Sequence, residues 1–179
     1  MSDGPMIETE RLVLRPPRLE DLDAWADFAA DEEAARFIGG AQGRSGAWRS
    51  LCAMAGSWAL EGFAMFSVVE KASGRWIGRL GPWRPAEWPG DEVGWGVIRE
   101  VWGRGYAVEG ATAAIDWVFD TLGWDEVIHC IDPKNAPSQA VARKLGSRIL
   151  RQARLPKPFD DPPIDVWGQS REAWRARRR

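Results

Sequence analysis

Glu92-Val93-Gly94-Trp95-Gly96-Val97-Ile98 reads as a β-strand, and it runs into Trp102-Gly103-Arg104-Gly105-Tyr106-Ala107, a glycine-rich loop that opens on a helix. No other stretch constrains the fold as tightly. Gly103 and Gly105 let the backbone take positive φ and approach a ligand without a Cβ in the way. From Ala107 onward, Val108, Ala111, Ile115, Val118, Phe119 and Leu122 recur at helical spacing, the stripe of a helix laid on a sheet. The first-turn N–H groups of such a helix have no internal partner and carry partial positive charge, and Arg104 adds a full cation. The segment therefore suits an anion, although a bare strand-to-helix turn is the plainer alternative. A dinucleotide fingerprint requires a third glycine where Val108 stands, and a P-loop requires Gly-Lys-Ser/Thr; the segment has neither.

The 179 residues suit one domain with a sizeable core, spanning 1–179 with the core at about 7–170 and an Arg-rich tail. A net charge of −2 argues against a nucleic-acid binder driven by bulk electrostatics. No membrane-length apolar run or signal-peptide pattern is present. Cys52 and Cys130 match no metal or redox spacing, and His129 is the single histidine, so no metal site is expected. These features read as a cytoplasmic protein with reduced thiols. The twelve tryptophans read mainly as core and cover residues, with Trp83, Trp88 and Trp95 as candidates for a cleft lining beside the loop.

Strands are expected at 11–15, 63–70, 75–80, 91–98, 125–132, 148–155 and 165–170, and helices at 19–30, 46–60, 107–122 and 138–145. Lys71 to Gly74 marks a hairpin turn, and Pro82, Pro85 and Pro89 mark an irregular segment before the strand at 91–98. This alternation is an α/β fold with a mixed sheet flanked by helices. The terminal arginines Arg171, Arg175, Arg177, Arg178 and Arg179 read as a solvated, frayed end.

A second motif is Ile128-His129-Cys130-Ile131-Asp132 followed by Asn135-Ala136-Pro137-Ser138 and Lys144-Leu145-Gly146. By itself it is a strand followed by a capped helix: Asn135 at the N-cap, Pro137 in the tolerant first turn, Gly146 at C′. A cap side chain can also face a cleft. Together with the loop and the opening Glu8-Thr9-Glu10-Arg11-Leu12-Val13-Leu14-Arg15, the two motifs resemble the GNAT superfamily of acyl-CoA N-acyltransferases, in its RimJ/RimL-like branch of ribosomal-protein N-terminal acetyltransferases. The resemblance runs from about residue 7 to about 170. Trp102 stands where the family usually has Gln or Arg, and Ser147 where it usually has Phe, a change that loses apolar packing.

The resemblance implies a splayed central sheet with acetyl-CoA, the co-substrate, lying between the strand ending near Ile98 and the strand 127–132. Its pantetheine would pair like an added strand. The diphosphate would take N–H groups from Trp102, Gly103, Arg104, Gly105, Tyr106 and Ala107, and Asn135 would bond the pantetheine arm. The N–H near Val97 would hold the oxyanion, at a bulge that Gly94 and Gly96 permit. Ser138 would protonate the leaving thiolate, and Glu92 would act as general base, directly or through water. Alternation places Glu92, Gly94 and Gly96 on one face, where Glu92 is either a cleft residue or a solvent-side charge. Asp91 is the reserve base. His129 reads as a satisfied strand residue, with catalysis the lesser alternative, and Tyr106 as a poor proton donor. The expected activity is acetyl transfer to a primary amine, either a protein N-terminus or a small molecule, without nucleic acid or membrane as partner. A homodimer is compatible with the family. The alternative is a non-catalytic acyl-CoA-binding domain.

Overall fold

In a computed structural model, which describes residues 4–179, the chain forms one eight-stranded mixed sheet of order β1-β2-β3-β4-β5-β6-β8-β7. The strands are β1 (Ile7–Glu8), β2 (Leu12–Arg15), β3 (Phe66–Glu70), β4 (Trp76–Trp83), β5 (Glu92–Val97), β6 (Glu126–Ile131), β7 (Arg148–Ala153) and β8 (Ile164–Ser170). The helices are α1 (Leu22–Ala30), α2 (Glu32–Ala35), α3 (Arg44–Glu61), α4 (Tyr106–Trp117), α5 (Ala136–Leu145) and α6 (Arg171–Arg177). All neighbouring strands pair antiparallel except β5 and β6, which are parallel and share one register pair, Glu92 with Ile128. Beyond that pair the two strands part.

Alternation along the strands divides the core into two layers. Val93 and Val97 of β5 pack with Ala111, Ala114 and Ile115 of α4, under Leu12, Leu14, Ile77 and Leu80. The opposite face carries Trp25 and Phe28 of α1, Ala47, Leu51 and Met54 of α3, with Met65 and Trp76. Helix α4 lies close on its layer because residue 110 is glycine: a Cβ there would stand 2.5 Å from Leu80 Cδ2. Buried Asp21 ties α1 to the sheet, accepting two bonds from the Arg15 guanidinium at 2.6 and 2.8 Å and one from Ser67 Oγ at 2.7 Å.

Three expectations are corrected. The bulge expected at Gly94 and Gly96 is absent, since β4 and β5 run in unbroken register from Gly78↔Val97 to Trp83↔Glu92. The irregularity falls one strand away, between Val68 and Val69, where Ile77 is the extra residue of β4. Beside it Gly78 lets β4 and β5 approach closely, since a Cβ there would meet Gly96 O at 2.4 Å. Pro82 lies within β4 rather than in an irregular segment, paired in register with Val93. The Arg-rich end is not frayed. It forms α6, with Trp174 4% exposed in the main core and its Nε1 donating to Asp116 Oδ1 at 2.7 Å. Arg175 pairs with Asp120 at 3.1 Å, Arg178 with Asp116 at 2.8 Å, and Arg171 with Asp125. Once Trp174 is buried, the flanking arginines are carried to these acids.

Candidate functional site

A parallel ladder continuing past Glu92 would pair the Cys130 N–H with the Val93 carbonyl. Side chains take both groups instead. Cys130 N–H donates to Glu92 Oε1 at 2.9 Å, and Val93 O accepts from His129 Nδ1 at 2.6 Å. The two strands are thus released from one another without leaving an unpaired backbone group at the fork. Glu92 is buried, and its Oε2 accepts from Trp88 Nε1 at 2.6 Å, so the reading of it as a solvent-side charge falls away. Because a carbonyl only accepts, Nδ1 carries the His129 proton and Nε2 accepts from the Ser147 hydroxyl at 2.9 Å. Gln169 Nε2 completes the chain by donating to Ser147 Oγ at 2.9 Å and to Leu145 O at 2.9 Å. Ser147 is therefore a buried hydrogen-bonding link, rather than a loss of apolar packing.

Burial decides the charges at the fork. Desolvation pushes the Glu92 carboxyl up to about 7, against the bonds from Cys130 and Trp88 and the pull of Arg79. Desolvation also lowers His129 to about 4, so its imidazole is neutral at pH 7 and serves as a fixed hydrogen-bonding group. Trp95 lies against the imidazole with ring centroids 4.8 Å apart. Of the three tryptophans considered for a cleft, Trp88 and Trp95 flank the fork from opposite faces, and Trp83 packs toward the α1 layer.

Past the fork, β5 presents unused backbone to the opening. Ile98 N–H donates to Ile77 O on the β4 side, whereas Asp91 O accepts from Ile128 N–H on the β6 side. Alternation then turns the N–H groups of Trp95 and Val97 toward the gap. Val97 O accepts from Trp102 Nε1 at 2.8 Å, which folds the indole back over the strand end. The loop itself divides. Trp102 N–H donates to Arg99 O at 3.0 Å and Arg104 N–H to Val101 O at 3.3 Å, so these two amides, expected to face a diphosphate, are used within the turn. The turn after β5 is helical, which closes those bonds locally. Among the described residues, no acceptor meets the N–H groups of Gly103, Gly105, Tyr106, Ala107 or Val108. Val108 joins the set because an α-helix leaves its first four amides unbonded. Gly103 and Gly105 hold φ of 74° and 81°, and open space surrounds the Cβ position of Gly103.

The loop is braced by residues that neither motif singled out. Glu109, in the first turn of α4, accepts from Thr9 Oγ1 at 2.6 Å, Arg11 N–H at 2.8 Å and Arg11 Nε at 2.6 Å. Despite its desolvation, these partners hold its carboxyl below the usual range. Arg11 Nη1 also donates to Arg104 O at 2.9 Å, and its guanidinium stacks 4.3 Å over the Tyr106 ring. The pattern in sequence was present in the opening Glu8–Arg15 segment, but nothing there pointed to residue 109. Tyr106 is buried with its hydroxyl bonded to Glu70, which removes its side chain from the opening and leaves its backbone N–H there.

On the far wall, Asn135 caps α5, its Oδ1 accepting from Ser138 N–H at 3.2 Å. Asn135, Ser138 and Ala142 share one helical face. Ala142 packs with Ile131 and Trp167, and Trp95 closes on that cluster, so this face turns toward the gap. Ser138 is half-buried, and its hydroxyl has no protein partner among the described residues. Glu92 and Ser138 thus stand at opposite faces of the sheet, with the gap between them. The parted strands, their unused amides and the amide row at α4 fit a long thioester arm ending in a diphosphate, which is the shape of an acyl-CoA.

Residues 11–148 match the family described as the acetyltransferase (GNAT) domain. The "Uncharacterized N-acetyltransferase p20" of Bacillus licheniformis is 31% identical over 140 residues, 76% of this chain and 79% of that protein. An acetyltransferase from Agrobacterium tumefaciens superposes with a TM-score of 0.82 at 30% identity, covering 92% of this chain and 94% of that one. Mycobacterium smegmatis RimJ in complex with CoA-disulfide shares the fold, with a TM-score of 0.67 at 20% identity over 90% and 82% of the two chains. With the family match covering residues 11–148 and the p20 relative 31% identical over 76% of the chain, the chain belongs to the GNAT acetyltransferases.

Proposed function

We propose that this acetyltransferase moves the acetyl group of acetyl-CoA to a primary amine by direct attack within a ternary complex. The observation that carries the reading is the fork at Glu92, where β5 and β6 part and leave strand amides facing the α4 N-terminus. The diphosphate would rest on the N–H groups of Gly103, Gly105, Tyr106, Ala107 and Val108, with Arg104 beside them. The pantetheine arm would lie along β5 beside Asn135. In the reaction the amine nitrogen attacks the thioester carbonyl carbon, forming the C–N bond, while the Val97 N–H stabilises the oxyanion. The C–S bond then breaks, the amine proton passes to Glu92, and Ser138 supplies a proton to the leaving thiolate. Glu92 suits the base role because burial brings its carboxyl to about 7, where it can both take and release a proton.

One observation favours a second role for Glu92: both its oxygens already accept bonds, so it also acts as the latch of the fork. Glu92→Gln separates the two. Loss of a base lowers kcat by about 100-fold or more, abolishes a kinetic limb near pH 7 and leaves CoA affinity unchanged. Loss of a latch alone weakens CoA binding and keeps the limb. The direct assay follows free thiol release from acetyl-CoA against a panel of amines and peptides. CoA binding with no acetylation of any acceptor would leave only a non-catalytic acyl-CoA-binding domain.

A further inference from the structure

Arg79 has no role in the chemistry above, yet it occupies an unusual position. It stands on β4 opposite Gly96 and shares the sheet face of Glu92, Gly94 and Gly96. Twelve ion pairs occur among the described residues, and Arg79 is in none of them. Among the described residues its one side-chain acceptor is the Met65 thioether, reached by Nη1 at 2.6 Å. A thioether is a weak acceptor, and a guanidinium has five N–H groups to place. The guanidinium lies 6.0 Å from the Trp25 ring, on the layer of α1 and α3. Holding a partly buried cation among aromatic and thioether groups, with Glu92 near but not in contact, is costly unless something else answers the charge. Among the described residues, Trp167 Nε1 is the only buried polar atom without a partner, and Arg79 is itself only partly buried, so its unused N–H groups reach solvent.

The gap between Arg79 and Glu92 is small and softly filled. Met65 Sδ touches Arg79, while Met65 Cε lies 2.7 Å from where a Gly94 Cβ would stand. That same Cβ position is 3.5 Å from Glu92 Oε1. One flexible thioether therefore spans the interval from guanidinium to carboxylate, and methionine is the side chain that yields most readily to a ligand. Gly94 and Gly96 add no side chain of their own on this face; Met65 Cε packs over the first and Phe28 Cζ, 3.0 Å from where a Cβ would stand, over the second. The nearby recess of about 140 Å³ carries three acids, Asp27, Asp31 and Glu100, against one cation, Arg75.

From this juxtaposition we infer that the amine acceptor is a free amino acid, with its amine directed at Glu92 and its carboxylate held by Arg79 in place of the Met65 thioether. The inference rests on the proposed acetyl transfer and names its acceptor class. A guanidinium takes a carboxylate through two parallel bonds, which fixes orientation as well as affinity. The amine of a short amino acid then lies one or two carbons from the anchored carboxylate, which matches an interval spanned by a single thioether. An amidated or decarboxylated acceptor leaves the guanidinium unanswered and loses that alignment.

The test uses the twenty common L-amino acids, each as free acid and as carboxamide, with tripeptides as stand-ins for protein N-termini. Acetylation is read by thiol release, and binding to the CoA-saturated protein by calorimetry. The wild type should favour at least one free acid over its amide by about 100-fold in kcat/KM, mostly through KM. Arg79→Met should bring that ratio to near unity with acetyl-CoA KM unchanged and the thermal midpoint no lower, and Arg79→Lys should retain part of it. Equal use of acids and amides by the wild type overturns the inference while leaving acetyl transfer intact. So does a tripeptide preferred over every free acid, or an Arg79→Met variant that slows acids and amides alike. Carboxylate-dependent binding in calorimetry that Arg79→Met removes, without any acetylation, supports Arg79 as an amino-acid carboxylate site and overturns the acetyl-transfer reading instead.

Discussion

Gly105 meets two demands with one residue. It holds φ of 81° at the N-cap of α4, and its carbonyl accepts the Glu109 N–H at 3.0 Å to start the helix. A β-branched side chain at that angle costs about 1–2 kcal/mol in backbone strain and brings a Cβ to within 3.5 Å of Arg11 Nη2. Gly105→Val should therefore fold, with a modest loss of stability, and lose CoA binding by calorimetry; wild-type affinity would refute the loop as the diphosphate site. Glu92 carries a pH signature of its own. Its carboxyl in the folded chain is raised from 4.5 to about 7, so the folded state holds the proton more tightly than the unfolded chain. Glu92 therefore favours folding most fully below about pH 4.5, and that contribution is lost as pH rises toward about 7. Urea midpoints measured across this range should fall less steeply for Glu92→Gln than for the wild type. An unchanged slope would mean that Glu92 does not titrate there.

At the scale of elements, α6 shows which contact docks a helix. Trp174 is 4% exposed, whereas Arg178 and Asp116 remain 47% and 38% exposed in their ion pair. Exposed pairs contribute about 0–1 kcal/mol, and removing a buried tryptophan costs about 3–5 kcal/mol. Trp174→Ala should thus lower the thermal midpoint by about 6 °C or more, and Arg178→Ala by about 4 °C or less, by calorimetry. Comparable losses would place the docking energy in the arginines. The sequence pattern around Trp174 is what concealed this helix. Five arginines among nine residues read as a solvated end, and only the pocket beside Asp116 explains why one tryptophan among them is buried. By contrast, α4 was legible to within a residue at its start, because its apolar stripe is long and regular, and its expected end at 122 falls in the π-helical turn Val118–Leu122 that continues it.

Across the whole molecule, the sheet is continuous except at one place, and ligand binding is expected to act there. An acyl-CoA bridging β5 and β6 joins the antiparallel β1–β5 block to the β6–β8–β7 block through backbone bonds. Ligand at about 100 times its dissociation constant should stabilise the fold by about 2.7 kcal/mol, a rise of about 5–10 °C in thermal midpoint. Gly105→Val should show no such rise at the same CoA concentration. A wild type that shows none either would argue against the fork as the CoA site.

The alternation of strands and helices, the positive-φ glycines and the capped turn at Asn135 were all determined locally, within a few residues, by Cβ sterics and the helical or strand period. They suffice for the mixed sheet, the loop and the helix that follows it. The partners of Glu92, Cys130 N–H and Trp88, come from residues 38 positions and four positions away, and strand alternation alone left Glu92 between cleft and solvent. The same holds for the chain from Gln169 through Ser147 and His129 to Val93 O, and for an Arg79 that faces a thioether instead of a carboxylate. Which side chain closes a parted ladder, and which cation is left without a direct ion pair, depends on desolvation and on neighbours brought together only when the sheet assembles.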